Sequence, residues 1–103
     1  MHRLFGERTV DLDVSAVKSL TGHGSAASGV VETAAAALTM CRGIIQPVAT
    51  STEPDPACAV RTSLTPVRRP VATVLKNSFG FGGHYASMLF RRRATPRPAP
   101  QPV

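Results

Sequence analysis

The chain has 103 residues and a formal net charge of +6. A chain of this length forms at most one domain, and its longest apolar run, "TAAAALTM", is too short to cross a bilayer, so no membrane span is predicted. No signal-peptide pattern opens the sequence, and a cytoplasmic protein is expected. Two cysteines, Cys41 and Cys58, cannot make a disulfide framework, and neither has a histidine at ligand spacing, so no metal site is predicted.

The charge is unevenly distributed along the chain. Four basic and six acidic residues precede Arg61, whereas eight basic and no acidic residues lie from Arg61 onward. A basic end favours acidic partners such as nucleic acid, anionic lipid or an acidic carrier protein, and a purely solubilising role is the alternative. No aromatic residue follows Phe90, so the stacking surface typical of single-strand binders is missing and nucleic acid is not an expected partner.

The first half of the sequence predicts a strand, a loop and a helix. Residues 10–17 alternate apolar and polar side chains, as a half-buried strand does. A loop rich in glycine and hydroxyl residues follows. Residues 26–42 then place apolar side chains at helical spacing, with Ser25 or Gly24 available as the N-cap. Gly43 stands where a glycine commonly ends a helix.

The second half predicts extended structure and a tail. Residues 43–48 read as a short extended piece, and residues 70–78 and 85–92 read as strands. Residues 94–103 hold four prolines and few large apolar groups, which predicts a disordered tail. The order strand, helix, strand, strand indicates an α/β class with residues 1–93 as the folded part, though only part of a complete layered unit.

A glycine-rich connection joins the two predicted strands. It contains Phe79, Gly80, Phe81, Gly82 and Gly83, which is longer than the two-residue turn of a tight hairpin. It is not a phosphate-binding loop, because no Gly-Lys-Ser/Thr follows and the next segment reads as a strand. The connection is therefore either a slack turn or a place where the backbone closely approaches another group.

Three residues around the start of the helix carry reactive side chains. His23 lies where the helix dipole disfavours a positive charge, and a neutral imidazole there could donate one hydrogen bond to a developing oxyanion. Lys18 is a cation one loop away, and Glu32 is a carboxylate on an otherwise apolar stretch, where it needs a partner. Taken singly, His23 has an ordinary alternative as a structural histidine, and Lys18 has one as a solvated lysine.

The motifs taken together resemble the C-terminal portion of the β-ketoacyl-acyl-carrier-protein synthases. The resemblance covers residues 10–92 and is carried by "VKSLTGH", by "GVVE" nine residues after His23, by "PDPAC" and by "NSFGFGGHYASMLF". It implies a thiolase-like fold of two similar halves, of which this chain supplies an incomplete second half. It also implies acyltransfer by decarboxylative Claisen condensation in fatty-acid or polyketide biosynthesis.

The resemblance also implies roles for individual residues. His23 matches the histidine that stabilises the carbanion or enolate left by decarboxylation of the malonyl thioester, and Lys18 matches the lysine that positions it. Glu32 matches a buried glutamate of the same network. Phe79 matches a gating residue whose backbone N–H forms half of an oxyanion hole. The glycines, Gly80, Gly82 and Gly83, would then give the backbone conformations that other residues resist.

Part of the family's site is missing from these 103 residues. The family attacks with a cysteine at a sharp strand-to-helix turn and uses a first histidine in a His-Gly-Thr motif, and neither pattern is present. Smaller departures are Tyr85 where the family usually has Asn, Ala59 where an acidic residue is common, and Gly24 and Ser25 in place of bulkier residues. The chain alone is therefore expected to be inactive.

Three hypotheses follow. The chain is a truncated reading frame or fragment of a ketosynthase, or a non-catalytic module that docks on a ketosynthase or carrier protein, or a nucleic-acid or membrane-surface binder. The retained Lys18, His23 and Glu32 favour the first. Under it the expected partners are acyl carrier protein and the missing ketosynthase half or a homodimer partner. No cofactor is expected, since the substrates would be carried on the phosphopantetheine arm of the carrier protein.

Overall fold

The computed structural model describes residues 1–53, 55–58 and 60–93. The predicted tail, residues 94–103, and Ala59 lie outside them. The helices are α1 (His2–Phe5), α2 (Lys18–Thr21) and α3 (Ser28–Arg42), with 3₁₀ turns at Gly6–Asp11, Ser25–Ala27 and Pro56–Cys58. The strands are β1 (Ile44–Ile45), β2 (Val67–Arg68), β3 (Thr73–Gly80) and β4 (His84–Arg91).

Helix α3 confirms the predicted helix and its end. Gly43 adopts φ +62° and donates its N–H to Thr39 O at 2.8 Å, which is the expected left-handed C-terminal cap. The start differs, because residues 25–27 form a 3₁₀ turn and Ala27 precedes the α-helix without a side-chain cap. The expectation that Ser25 or Gly24 caps the helix is wrong, because Ala27 directly precedes the helix and Gly24 instead precedes the 3₁₀ turn.

Strands β3 and β4 form the predicted antiparallel hairpin. Their register runs from Thr73 opposite Arg91 to Gly80 opposite His84, which leaves three residues in the turn. Gly82 and Gly83 have φ of +75° and +79°, so the turn needs glycine there. Gly80 does not, because it continues the strand without a positive φ, and the expectation of a special backbone conformation at Gly80 is wrong.

The strand predicted over residues 10–17 does not form. The segment begins in a 3₁₀ turn, makes one isolated parallel bridge between Asp13 and Arg61, and is followed by α2 where a loop was expected. Alternation marks a face that could be buried, but a strand also needs a neighbouring strand. Val10 remains exposed here because the described part of the chain offers no sheet beside it.

The remaining strands form a second small sheet. The expected extended piece after Gly43 is confirmed as β1, and it pairs with β2 in antiparallel register. Two separate two-stranded sheets therefore replace the predicted order of one strand before the helix and two after it. The mixture of helix and strand is compatible with the α/β class.

The packing leaves large apolar faces uncovered. Among the described residues, the buried hydrophobic side chains are Ala36 and Met40, both on α3, which packs against β3. The outer face of the hairpin, by contrast, exposes two cross-strand pairs, Leu75 opposite Leu89 and Phe79 opposite Tyr85. We call these four residues the outer hairpin face. Asn77 and Ser87 lie between the two pairs on this face, so the apolar surface forms two patches, and exposed apolar patches are typical of an interface.

Candidate active site

An ion-pair cluster lies between α2, α3 and β3. The Lys18 ammonium group donates a hydrogen bond to Glu32 Oε1, and Lys76 Nζ lies 3.5 Å from Glu32 Oε2. The side chains of Glu32 and Lys76 are 14% and 10% exposed, whereas that of Lys18 is 44% exposed. The carboxylate that the sequence placed on an apolar stretch thus has two cationic partners.

The local fold explains why these side chains meet. Lys18 is the first residue of α2, and Glu32 lies in the second turn of α3. Along β3 the side chains alternate, so that Val74, Lys76 and Ser78 are the less exposed set on the face toward α3. A lysine on that face places its ammonium group beside α3, where it forms an ion pair with Glu32.

The cluster keeps Glu32 ionised. The hydrogen bond from Lys18 holds the pKa of the Glu32 carboxyl below its ordinary value. Partial burial opposes this by raising the pKa, and the charges of Lys18 and Lys76 lower it further. Glu32 is therefore a carboxylate at neutral pH, and it acts as an acceptor rather than as a proton donor.

His23 is held in one tautomer by its own loop. Its Nδ1 accepts the Ser25 backbone N–H at 2.9 Å and lies 3.3 Å from Ser28 Oγ. Because a backbone N–H can only donate, Nδ1 must present a lone pair, and the neutral ring carries its proton on Nε2. The exposed imidazole can therefore donate one hydrogen bond from Nε2 to a bound group.

A small cleft lies between the Lys18–Glu32 pair and the loop that contains His23. It has a volume of about 70 Å³ and contains Lys18 and Glu32 in its wall, together with Ser28, the residue beside the His23 ring. The structure thus brings Lys18 and Glu32 into direct contact. His23 lies next to the same cleft through Ser28, whereas the described contacts of Lys18 are with Glu32 rather than with His23.

Phe79 lies apart from the cleft, at the end of the hairpin. Its side chain is 76% exposed, and its ring stands edge-on to that of Tyr85, with centroids 5.4 Å apart and planes at 69°. The residue before it, Ser78, accepts a hydrogen bond from the Lys76 ammonium group. The cluster therefore reaches the neighbour of Phe79 but not its ring.

Lys76 is the site residue that sequence reasoning missed. The alternation in β3 put Lys76 on one face with Val74 and Ser78, but it did not show that this face is half-buried, because Leu75 and Phe79 stand on the other. A lysine on a half-buried face needs an anionic partner. Glu32 was also in need of a partner, but nothing in the sequence showed that the two are neighbours.

The cysteines offer no alternative site. Cys41 and Cys58 are free and exposed, at the end of α3 and in the last 3₁₀ turn. Across residues 1–53, 55–58 and 60–93, no group of three or more His, Cys, Asp or Glu side chains is arranged to hold a metal ion. In the same part of the chain no helix is both long and apolar enough to cross a membrane.

Comparison with known proteins decides the family. Residues 1–52, which include Lys18, His23 and Glu32, match the model of the β-ketoacyl synthase C-terminal domain. The chain belongs to the β-ketoacyl synthase family. The match confirms the resemblance that the sequence motifs indicated.

Similar proteins in this family carry related names. The chain is 40% identical over 91 residues to the tetracenomycin polyketide synthase ketoacyl synthase alpha subunit of Streptomyces glaucescens. The matched region covers 87% of this chain and 21% of that protein. It is 34% identical over 91 residues to 3-oxoacyl-acyl-carrier-protein synthase 2 of Staphylococcus aureus (85% and 22%). It is 31% identical over 90 residues to nodulation protein E of Rhizobium leguminosarum (87% and 22%). The chain thus spans about a fifth of the length of these relatives.

Proposed function

We propose that this chain is the C-terminal part of a β-ketoacyl-acyl-carrier-protein synthase with a thiolase-like fold. In this proposal it supplies the groups that act on the malonyl thioester in a decarboxylative Claisen condensation. The observation that carries the proposal is the tautomer of His23, which leaves Nε2–H as a donor on a ring that contacts Ser28 in the wall of the cleft with Lys18 and Glu32. The polyketide and fatty-acid names of the relatives support this class of reaction.

The chemistry assigns one task to His23. As the bond between the malonyl carboxylate and the α-carbon breaks, carbon dioxide leaves and the electron pair moves toward the thioester oxygen, which becomes an enolate oxygen. The Nε2–H of His23 donates to that oxygen as its charge grows. The α-carbon then attacks an acyl thioester, a carbon–carbon bond forms, and the thiolate of the acyl-enzyme leaves. A positioned donor of this kind accelerates such steps by about 100- to 1000-fold.

Lys18 and Glu32 act through position and charge. Glu32 fixes the Lys18 ammonium group at the wall of the cleft, because the two are hydrogen-bonded between α2 and α3. A fixed cation there attracts an anionic malonyl group and, through the α2–α3 loop, limits the movement of His23. Burying the carboxylate without Lys18 would be costly, so the two residues are expected to act as a unit.

Phe79 and the hairpin turn are assigned to the acyl group. Phe79 gates the acyl site and its backbone N–H contributes to the oxyanion hole for the acyl thioester. Its exposed ring and the two positive-φ glycines, Gly82 and Gly83, allow the hairpin end to approach a carbonyl group closely. Both substrates are proposed to arrive on the phosphopantetheine arm of acyl carrier protein, without a further cofactor.

The nucleophile must come from outside these 103 residues. Cys41 lies in the last turn of a regular helix and Cys58 in a short 3₁₀ turn, and the hydrogen-bond partners of His23 in the described part of the chain are Ser25 and Ser28 rather than a cysteine. We infer that the preceding ketosynthase half, covalently attached or as a partner chain, supplies the cysteine and the first histidine.

A second candidate function is favoured by one observation. The outer hairpin face exposes two apolar cross-strand pairs of the kind that dock onto another protein. A non-catalytic module that binds a ketosynthase or a carrier protein would need that face, but it would not need Lys18, His23 and Glu32 together. The two functions therefore differ in whether the cleft residues matter.

A hybrid protein tests the proposal. Residues 1–93 replace the matching segment of the Staphylococcus aureus synthase, and the product is incubated with acyl and malonyl carrier proteins. The expected result is a β-ketoacyl product detected by mass spectrometry, which disappears when the nucleophilic cysteine of the hybrid is changed to alanine. A folded hybrid that is acylated but forms no product would contradict the catalytic proposal and favour the docking module.

A further inference from the structure

Four polar side chains form a continuous chain across the site. The Lys76 ammonium group donates to Ser78 Oγ and lies 3.5 Å from Glu32 Oε2, while Glu32 Oε1 accepts from Lys18. These contacts link α2, α3 and β3. They also connect the residue next to Phe79 with the helix whose following loop contains His23.

Of the two lysines in this polar cluster, Lys76 is the less exposed. Only 10% of its side chain is accessible to solvent, and its Nζ lies close to the backbone of α3, 3.8 Å from the place where a Cβ on Gly29 would be. An ammonium group at such a depth is stable only when hydrogen-bonded and paired with a negative charge. Ser78 and Glu32 supply these partners.

Each oxygen of Glu32 faces a different lysine. Oε1 is directed to Lys18 and Oε2 to Lys76, so that the carboxylate cannot rotate without losing one of them. A side chain that merely filled space on β3 would not need this arrangement, since an apolar residue of similar length would fill it equally well. The directed contacts indicate a role for the charge of Lys76.

We propose that Lys76 is a positioning residue of the site described above. It holds Glu32 so that Oε1 faces Lys18, and it anchors the end of β3, where Phe79 lies, onto α3. This inference rests on the proposed function for its catalytic meaning. The contact between Lys76 and Glu32, however, is tested without substrate, so its failure is distinguishable from failure of the condensation assay.

The first test is a carboxyl ¹³C NMR titration of Glu32 in the 103-residue chain. The wild type is expected to titrate below the ordinary range, and Lys76→Met to raise the pKa of Glu32. Lys76→Arg should restore the low value, because it keeps the charge, and Lys18→Met should raise the pKa more than Lys76→Met does. An ordinary Glu32 titration in the wild type, or a pKa unchanged by Lys76→Met, would overturn the proposal.

The second test does not depend on a variant at Lys76. Brief acetylation with an N-hydroxysuccinimide ester, read by peptide mass spectrometry, compares the labelling of Lys76 with that of Lys18 in the same sample. Lys76 should react several-fold more slowly, and the isosteric Glu32→Gln should accelerate it by at least about threefold, since removal of the negative charge frees the ammonium group. Equal labelling in the wild type, or no response to Glu32→Gln, would contradict the role assigned to Lys76.

Discussion

Arg69 donates its backbone N–H to the carbonyl oxygen of Gly43 at 3.0 Å, and its own carbonyl oxygen lies only 2.9 Å from where a Cβ on Gly43 would be. This double approach joins the end of α3 to the residue that directly follows β2. Gly43 is also in the left-handed region, with φ +62°. Glycine is therefore required at this position for two independent reasons.

Gly43→Ala should weaken the contact between Gly43 and Arg69. A side chain in the left-handed region costs about 1–2 kcal/mol before the clash with Arg69 is added. Such a loss corresponds to exchange about 5- to 30-fold faster for the amides of Gly43 and Arg69. Hydrogen exchange followed by NMR measures this, with Gly80→Ala as the control, because Gly80 has an ordinary strand conformation and room for a methyl group. Equal effects of the two substitutions would contradict the account.

The outer hairpin face should drive association of the isolated chain. Leu89 is 69% exposed there, opposite Leu75 on the neighbouring strand. Leu89→Lys is expected to weaken self-association measured by sedimentation at micromolar concentrations. Leu4→Lys is the matched control, because Leu4 is 74% exposed but lies on α1. If both substitutions, or neither, changed the association, the outer hairpin face would not be the interface.

The isolated chain should not catalyse condensation. Without a positioned cysteine, the acyl group cannot be captured covalently, and the reaction loses the step that divides it in two. The chain is incubated with acyl and malonyl carrier proteins, and the product is sought by mass spectrometry. A condensation product that persisted in the double variant Cys41→Ser, Cys58→Ser would disprove this expectation.

The Lys18–Glu32 pair should make stability depend on pH. The pKa of Glu32 is lowered in the folded chain, so its contribution is fully present above the unfolded value of about 4.5 and is lost as the pH falls through the folded value. Glu32→Gln should therefore lower the free energy of unfolding at pH 7 by about 0.5–1 kcal/mol, a modest amount because Lys18 is partly exposed. Urea unfolding followed by circular dichroism measures the difference.

Measuring the unfolding of wild type and Glu32→Gln at low pH is the control for the predicted direction of the pH dependence. Once Glu32 is protonated, wild type and Glu32→Gln carry the same charge at this position, and the difference in unfolding free energy should vanish. A difference that stayed constant from pH 7 down to pH 3 would show that the substitution acts through packing rather than through the ion pair.

The sequence predicted the elements that local pattern determines. Helix α3 and its end at Gly43 follow from helical spacing and a C-terminal glycine, and the hairpin follows from alternation around a glycine turn. The motifs around Lys18, His23 and Glu32 also led to the correct family. These signals are contained within short windows, so that no knowledge of distant contacts was needed.

The parts that were missed depend on contacts between distant residues. Residues 10–17 alternate correctly but find no neighbouring strand, and Asp13 instead pairs with Arg61, 48 positions away. Lys76 meets Glu32 only because α3 packs on β3. A short-range repeat of apolar and polar residues does not encode such pairings. The family motif could therefore be predicted from the sequence, but the full polar cluster could not.

His23 in the hybrid synthase provides the most direct test of the central claim. If His23 acts only on the malonyl thioester, His23→Ala should leave acylation of the cysteine intact and reduce condensation at least about 100-fold, the scale for loss of one oxyanion donor. Acylation is measured as the mass of the acyl-enzyme, and decarboxylation as release of carbon dioxide from labelled malonyl carrier. The account predicts normal acylation with lost decarboxylation and condensation. Lost acylation with normal decarboxylation would contradict it.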